Sequence, residues 1–216
     1  MRHRFLACSF VSLSALLLSG CLSTEISLDY VVNPSAQLNG PPIVGVGVFL
    51  DKRGEDEPKL LGTVKTPIGT PFEHVYLRIP ADETVQNAVL HGLDARGMMA
   101  SPSRARFVLE GSIEEFYCQL ISRPYAYAKI RVDLVDTASN RVLYRHTYEA
   151  ERQAGTYLPG EGDPVPSLRD LSSRVLQDVV DKAIDNPEVR EWMGNPGRPD
   201  GPGHPRNARR VGASNN

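Results

Sequence analysis

The chain has 216 residues, 41% of them hydrophobic and 23% charged, with a formal net charge of −2. That length suits one domain with extended ends, and the lack of a basic excess excludes a general electrostatic attraction to nucleic acid. Three cysteines are too few for a disulfide-stapled scaffold.

Met1-Arg2-His3-Arg4 forms a short positive stretch, and an apolar run from Phe5 to Leu18 follows it. At about 14 residues this run falls short of the ~20 that span a bilayer. With Ser19 and Gly20 ahead of Cys21, the layout is that of a secretory signal. Leu18-Ser19-Gly20-Cys21 resembles the bacterial lipobox. The resemblance implies cleavage before Cys21, loss of residues 1–20 and a diacylglycerol on the Cys21 thiol, since the thiolate is the nucleophile that takes the lipid. Two or three acyl chains make the membrane a stable partner, each buried CH₂ contributing ~0.8 kcal/mol. Leu22, not Asp, follows the cysteine; by resemblance to sorted lipoproteins this implies the outer membrane, facing the periplasm. Cys8 leaves with the signal. Cys118 then stands alone in an oxidising compartment and is expected to be a small buried side chain.

Residues 22–42 mix Ser, Thr, Asn and Pro without a helical period and read as a flexible linker. Its reach of roughly 25 Å would let the domain float off the bilayer. Ile43 to Leu50 is a β-branched run bounded by turn signals, hence a buried strand. Lys59 to Leu77 reads as a ribbon of two short strands around Gly69. Asp82 to Gly97 is the first helix, with Asp82 as its cap, Val85, Ala88, Val89 and Leu93 on its apolar face and Gly97 as its stop. Phe107 to Leu120, then Ala128 to Leu134, then Val142 to Ala150 read as three successive strands, the last two joined by the turn Asp136–Asn140. A Gly- and Pro-rich loop, Gly155 to Pro166, leads to the last helix. Ser167 and Asp170 form a capping-box-like start there, and Leu168, Leu171, Val175, Leu176, Val179, Val180 and Ala183 form its buried stripe. Pro187 and Trp192 mark a short terminal helical piece.

The order strand, ribbon, helix, three strands, helix predicts an α+β two-layer domain over residues 43–193, an antiparallel sheet covered by two main helices. Residues 194–216 are rich in Gly, Pro, Arg and Asn and read as a disordered tail. Arg198, Arg206, Arg209 and Arg210 make that tail basic, suited to an anionic surface or simply to solubility.

Within 43–193, the strand Val44–Leu50 is followed by Asp51-Lys52-Arg53 and Leu61-Gly62-Thr63. The helix end Leu93-Asp94-Ala95-Arg96-Gly97 and the strand Leu109-Glu110-Gly111-Ser112-Ile113 come next. In this order the motifs resemble the YajG-type family of bacterial lipoproteins, and the last two are also similar to periplasmic modules such as the amino-terminal domain of TolB-type proteins. The YajG-type family lacks an established chemistry, so the resemblance implies a fold and an address and carries over no catalytic residue.

Chemistry is sparse. His74, His91, His146 and His204 form no paired ligand spacing, and no metal or other cofactor is expected. No Gly-x-Ser-x-Gly is present, and Cys118 with His146 is the only Cys/His pair on neighbouring strands. Glu114 and Glu115 point to opposite faces of their strand. Glu161 and Asp163 occupy a solvated turn, and Asp51 and Arg53 pair at a strand end. Among the strand tyrosines, Tyr125, Tyr127, Tyr144 and Tyr148 form the candidate binding face, with Tyr117 nearby. Cross-strand packing beneath the helices is the competing account of these rings. The expectation is a non-enzymatic, lipid-anchored accessory or adaptor, with an envelope protein as its partner. The alternative is a tethered carrier of a small ligand or lipid, its pocket formed by the tyrosine face and the Tyr157–Pro166 loop.

Overall fold

The computed structural model describes residues 22–31, 40–158 and 160–194. Leu18, Ser19, Gly20, Cys21 and the arginines of the tail lie outside them. The order is β1 (Leu22–Ile26), β2 (Val44–Asp51), β3 (Leu60–Lys65), β4 (Pro71–Leu77), α1 (Ala81–Ala95), β5 (Phe107–Leu120), β6 (Pro124–Asp136), β7 (Arg141–Gln153), α2 (Val165–Ile184) and α3 (Pro187–Gly194). The fold is α+β, as expected. The strands form one sheet ordered β1-β4-β3-β5-β6-β7, with β2 beside the first half of β5.

Side-chain alternation decides which face of the sheet is covered. In β6, Ala126, Ala128, Ile130, Val132 and Leu134 are buried, while Tyr125, Tyr127, Lys129 and Arg131 on the other face are only half-buried. The expected α2 stripe is buried throughout. It packs on β5, β6 and β7, and α1 packs on β2 through Val85, Ala88, Val89 and Leu93. Each large apolar side chain so buried contributes roughly 1.5–3 kcal/mol. The layers fit closely: the void between Phe49, Leu109, Val179 and Ile184 is about 10 Å³. The opposite face of the sheet carries no helix among the described residues.

Three expectations need correction. The sheet is mixed, not antiparallel: β5, β6 and β7 are antiparallel neighbours, but β1–β4, β2–β5 and β3–β5 are parallel pairs. Parallel pairs need crossovers, and α1 carries the chain across the sheet from β4 to β5. The stretch taken for a linker opens with a strand, β1, paired in parallel along β4 from Leu22↔Glu73 to Ile26↔Leu77. The outer edge of β4 offers unpaired backbone groups, Ile26 is 6% exposed, and the Thr24 hydroxyl donates to buried Glu73 at 2.5 Å. Leu28 and Tyr30 then pack against the core. The third correction concerns the caps. α1 starts behind Pro80, with Asp82 inside its first turn. α2 starts behind Pro164, with Pro166 in its first turn, where a missing N–H costs nothing. Asp163 accepts the Val165 N–H at 2.9 Å, which leaves Ser167 and Asp170 inside the helix. Gly97 does end α1, at φ +65°.

Candidate functional site

The four tyrosines of the candidate face divide between the two sides of the sheet. Tyr148 pairs with Ile130 and Tyr144 with Leu134, so both share the helix-covered side; Tyr127 pairs with Glu151 and Tyr125 with Gln153 on the open side. Tyr125 and Tyr127 stand at odd positions and Tyr144 and Tyr148 at even ones, and the β6–β7 register here pairs odd with odd and even with even, so the two sets take opposite faces. Under the helices, the Tyr144 and Tyr148 hydroxyls lie 2.9 Å apart and His146 stacks edge-on to Tyr148 at 4.8 Å. Burial and the bond to Tyr144 push the Tyr148 phenol well above its ordinary value. These two tyrosines pack the domain.

On the open side, Tyr117 joins Tyr125 and Tyr127, with ring centroids 6.1 and 5.8 Å from its own. The Tyr125 hydroxyl donates to Glu151 at 3.1 Å and that of Tyr127 to Glu149 at 3.0 Å. Desolvation and the Glu149 carboxylate push Tyr127 up to about 12, so the phenol holds its proton. The result is three tilted rings edged by carboxylates, a surface matched to a partner with cationic or hydrogen-bond-donating groups. Further along the same face, Arg145 holds Asp133 in a two-pronged contact at 2.8 and 2.7 Å, with Arg131 3.7 Å from the same carboxylate.

The Cys118/His146 pair does not form. Cys118 lies opposite Ala126 and His146 opposite Val132, a separation of about 20 Å at ~3.3 Å per residue. Cys118 is 1% exposed, and burial pushes its thiol up to about 12 although Ser172 partly offsets this. Iodoacetamide at neutral pH should therefore leave Cys118 unmodified in the folded chain and alkylate it once denaturant is added, as read by peptide mass mapping.

Asp51 and Arg53 do pair, at 2.8 Å, and Arg53 also donates to the carbonyls of Leu60, Phe116 and Pro58. Glu161 and Asp163 serve their own turn, accepting the N–H groups of Leu158 and Val165. Tyr157 donates to Gly162, so its loop closes on itself instead of on the tyrosines. Among the described residues no group of three metal-ligating side chains converges, and no helix is long and apolar enough to cross a membrane.

Two features have no counterpart in the sequence reading. Arg96, 1% exposed, donates to Asp185 at 2.9 and 2.7 Å, to Asp181 at 2.8 Å, to the Tyr30 hydroxyl at 3.0 Å and to the Gly92 carbonyl at 2.9 Å. Tyr30 in turn donates to Asp181, and burial together with that carboxylate pushes its phenol up to about 12. The available signal was a basic residue at the helix end and an Asp181-x-x-x-Asp185 spacing on one helix face. The second is a half-open groove of about 460 Å³ between the segment Ile26–Tyr30 and α1, lined by Leu28, Leu77, Ala88, His91 and Asp94 among others.

No family model matches the chain, and no curated protein matches it. Solved structures are similar to it to different degrees. A Xanthomonas campestris protein of the DUF330 family is 17% identical, with a TM-score of 0.56 over 74% of this chain and 92% of its own. An uncharacterised protein is 10% identical over 77% of this chain and 98% of its own, with a TM-score of 0.48. A structure described as a putative lipoprotein from Caulobacter crescentus is 12% identical over 53% of this chain and 82% of its own, with a TM-score of 0.39. At 17% identity the first likeness bears on the fold alone.

Proposed function

We propose that this chain is a lipid-anchored accessory or adaptor of the bacterial envelope, attached through Cys21 and docking a protein partner on the open face of its sheet. The observation that carries the reading is the solvent-facing patch of Tyr117, Tyr125 and Tyr127 with Glu149 and Glu151. Aromatic rings with polar tips are enriched at protein interfaces, and no helix covers them among the described residues. Anchoring raises the local concentration of such a patch for a membrane-bound partner. The finer address is the periplasmic side of the outer membrane, inferred from Leu22 after the cysteine, with a YajG-type relationship inferred from the motif order. The reading is non-enzymatic, and the separation of Cys118 from His146 along the sheet supports it.

A photocrosslinking residue at Tyr127, in cells, tests this, with the same residue at Glu83 on exposed helix α1 as the control. A discrete protein adduct at position 127, lost on Tyr125→Ala and absent at position 83, is the expected result. Equal labelling at both positions would remove the docking role. A second reading, a small-ligand carrier, is favoured by the 460 Å³ groove beside α1, a volume typical of ligand sites. In this reading the ligand leaves the tyrosine face and lies against Leu28, Leu77 and His91. A copurifying small molecule together with no adduct at position 127 would favour it.

A further inference from the structure

Leu22, Ile68, Phe72, Ile121 and Leu158 are 55, 89, 54, 40 and 56% exposed. They come from four segments of the chain, and strand directions bring all five to one end of the sheet. Leu22 begins β1, which runs parallel to β4 from its start, next to Phe72. Ile68 sits in the turn joining β3 to β4. β3 ends beside the end of β5, where Val64 pairs with Leu120, one residue before Ile121. The β5–β6 turn receives the chain after β7, through Ala154 N–H to the Pro124 carbonyl and Tyr157 N–H to that of Ser122, and this places Leu158 there too. The opposite end carries the polar turns 101–104 and 137–140, with a single exposed valine, Val142, beside the second among the β5–β7 strand ends. Five large exposed apolar side chains on one rim of a sheet call for a ligand or a partner.

The chain itself indicates which. Cys21 is bonded directly to Leu22, the first residue of β1, and consecutive Cα atoms lie ~3.8 Å apart. Acyl chains on Cys21 would therefore hold this end of the sheet against the bilayer, with no linker to let it float. Lys65 and exposed Arg123 stand at the same end and suit anionic headgroups, while the Glu161 carboxylate there is engaged by the Leu158 N–H. We infer that the rim of Leu22, Ile68, Phe72, Ile121 and Leu158 is a lipid-bilayer contact that seats the domain end-on beside its acyl anchor. This rests on the lipoprotein reading of Cys21. In that posture the strands rise from the membrane, and the Tyr117–Tyr125–Tyr127 patch faces sideways near its surface.

The test uses the full chain, purified after export and reconstituted into phosphatidylethanolamine–phosphatidylglycerol vesicles, with a fluorophore on Ile68→Cys or, at the polar end, on Ser103→Cys. Cys118 is buried and should stay unlabelled. Mass spectrometry of the same sample reads whether Cys21 is acylated. Lipids brominated high on the acyl chain should roughly halve the emission at position 68 and leave position 103 unchanged, since interfacial side chains sink ~5–10 Å into that boundary. Phe72→Asp with Ile121→Asp, both on exposed positions, should abolish the quenching while acylation persists. An acylated chain with equal quenching at both sites overturns the bilayer contact alone. Energy transfer between copies labelled at position 68, without lipid quenching, assigns the rim to a second copy and overturns it as well. An unmodified Cys21 overturns the anchored reading, and this inference falls with it.

Discussion

Arg96→Met is expected to destabilise the domain by about 3–5 kcal/mol, the cost of leaving buried charges without their partner. Chemical denaturation of the full chain, compared with wild type, measures it. The guanidinium is fully enclosed and joins three parts of the molecule: Tyr30 after β1, the Gly92 carbonyl in α1, and Asp181 in α2 with Asp185 just past its end. Arg190 of α3 adds a second contact to Asp185. Methionine keeps much of the volume but takes the guanidinium away, leaving Asp181 with the Tyr30 hydroxyl and Asp185 with Arg190. Adding Asp181→Asn and Asp185→Asn to Arg96→Met should recover part of the loss, because neutral amides tolerate the site better than unpaired anions.

The same cluster sets an acid limit. Burial pushes the Asp185 carboxyl upward, but hydrogen bonds from Arg96 and Arg190 outweigh it and hold the group below its ordinary value of 3.8. A depressed folded-state pKa adds stability above the unfolded-state value, and that increment is lost as pH falls through the folded-state value. Stability should therefore decline below pH 3.8 in wild type, and Arg96→Met should flatten that acid limb.

Gly111→Val should be comparably damaging, at about 3 kcal/mol or more, because relief requires backbone to move. A Cβ at Gly111 would stand 1.9 Å from the Arg131 carbonyl oxygen and 3.1 Å from the Phe49 ring. Gly111 pairs with Val132 in the middle of the sheet, where β5 has β2 on one side and β6 on the other. The overlap with the carbonyl can be relieved only by parting β5 from β6, and the Phe49 ring must give way as well. Gly155→Ala supplies the contrast: its Cβ would meet nothing within 4 Å, so its denaturation curve should overlay wild type.

Local periodicity determined what could be read without a structure. The α2 stripe, the β6 alternation, the hairpin around Gly69 and the Gly97 stop each depend on residues a few positions apart, and each appears where expected. The pairing of Asp51 with Arg53 is local in the same sense. What depends on distant partners was not legible. Leu22–Ile26 is too short and polar to announce a strand; the free edge of β4, some fifty residues away, makes it one. The tyrosines are all visible in the sequence, but which face each occupies is set by the β6–β7 register. Arg96 looked like a helix-end residue until α2 and the segment after β1 closed around it. The sequence by itself determined the elements, because their signals are carried by neighbouring side chains. Only the tertiary structure decided the capture of β1, the separation of the tyrosines and the apolar rim, because strand direction and register are properties of pairs.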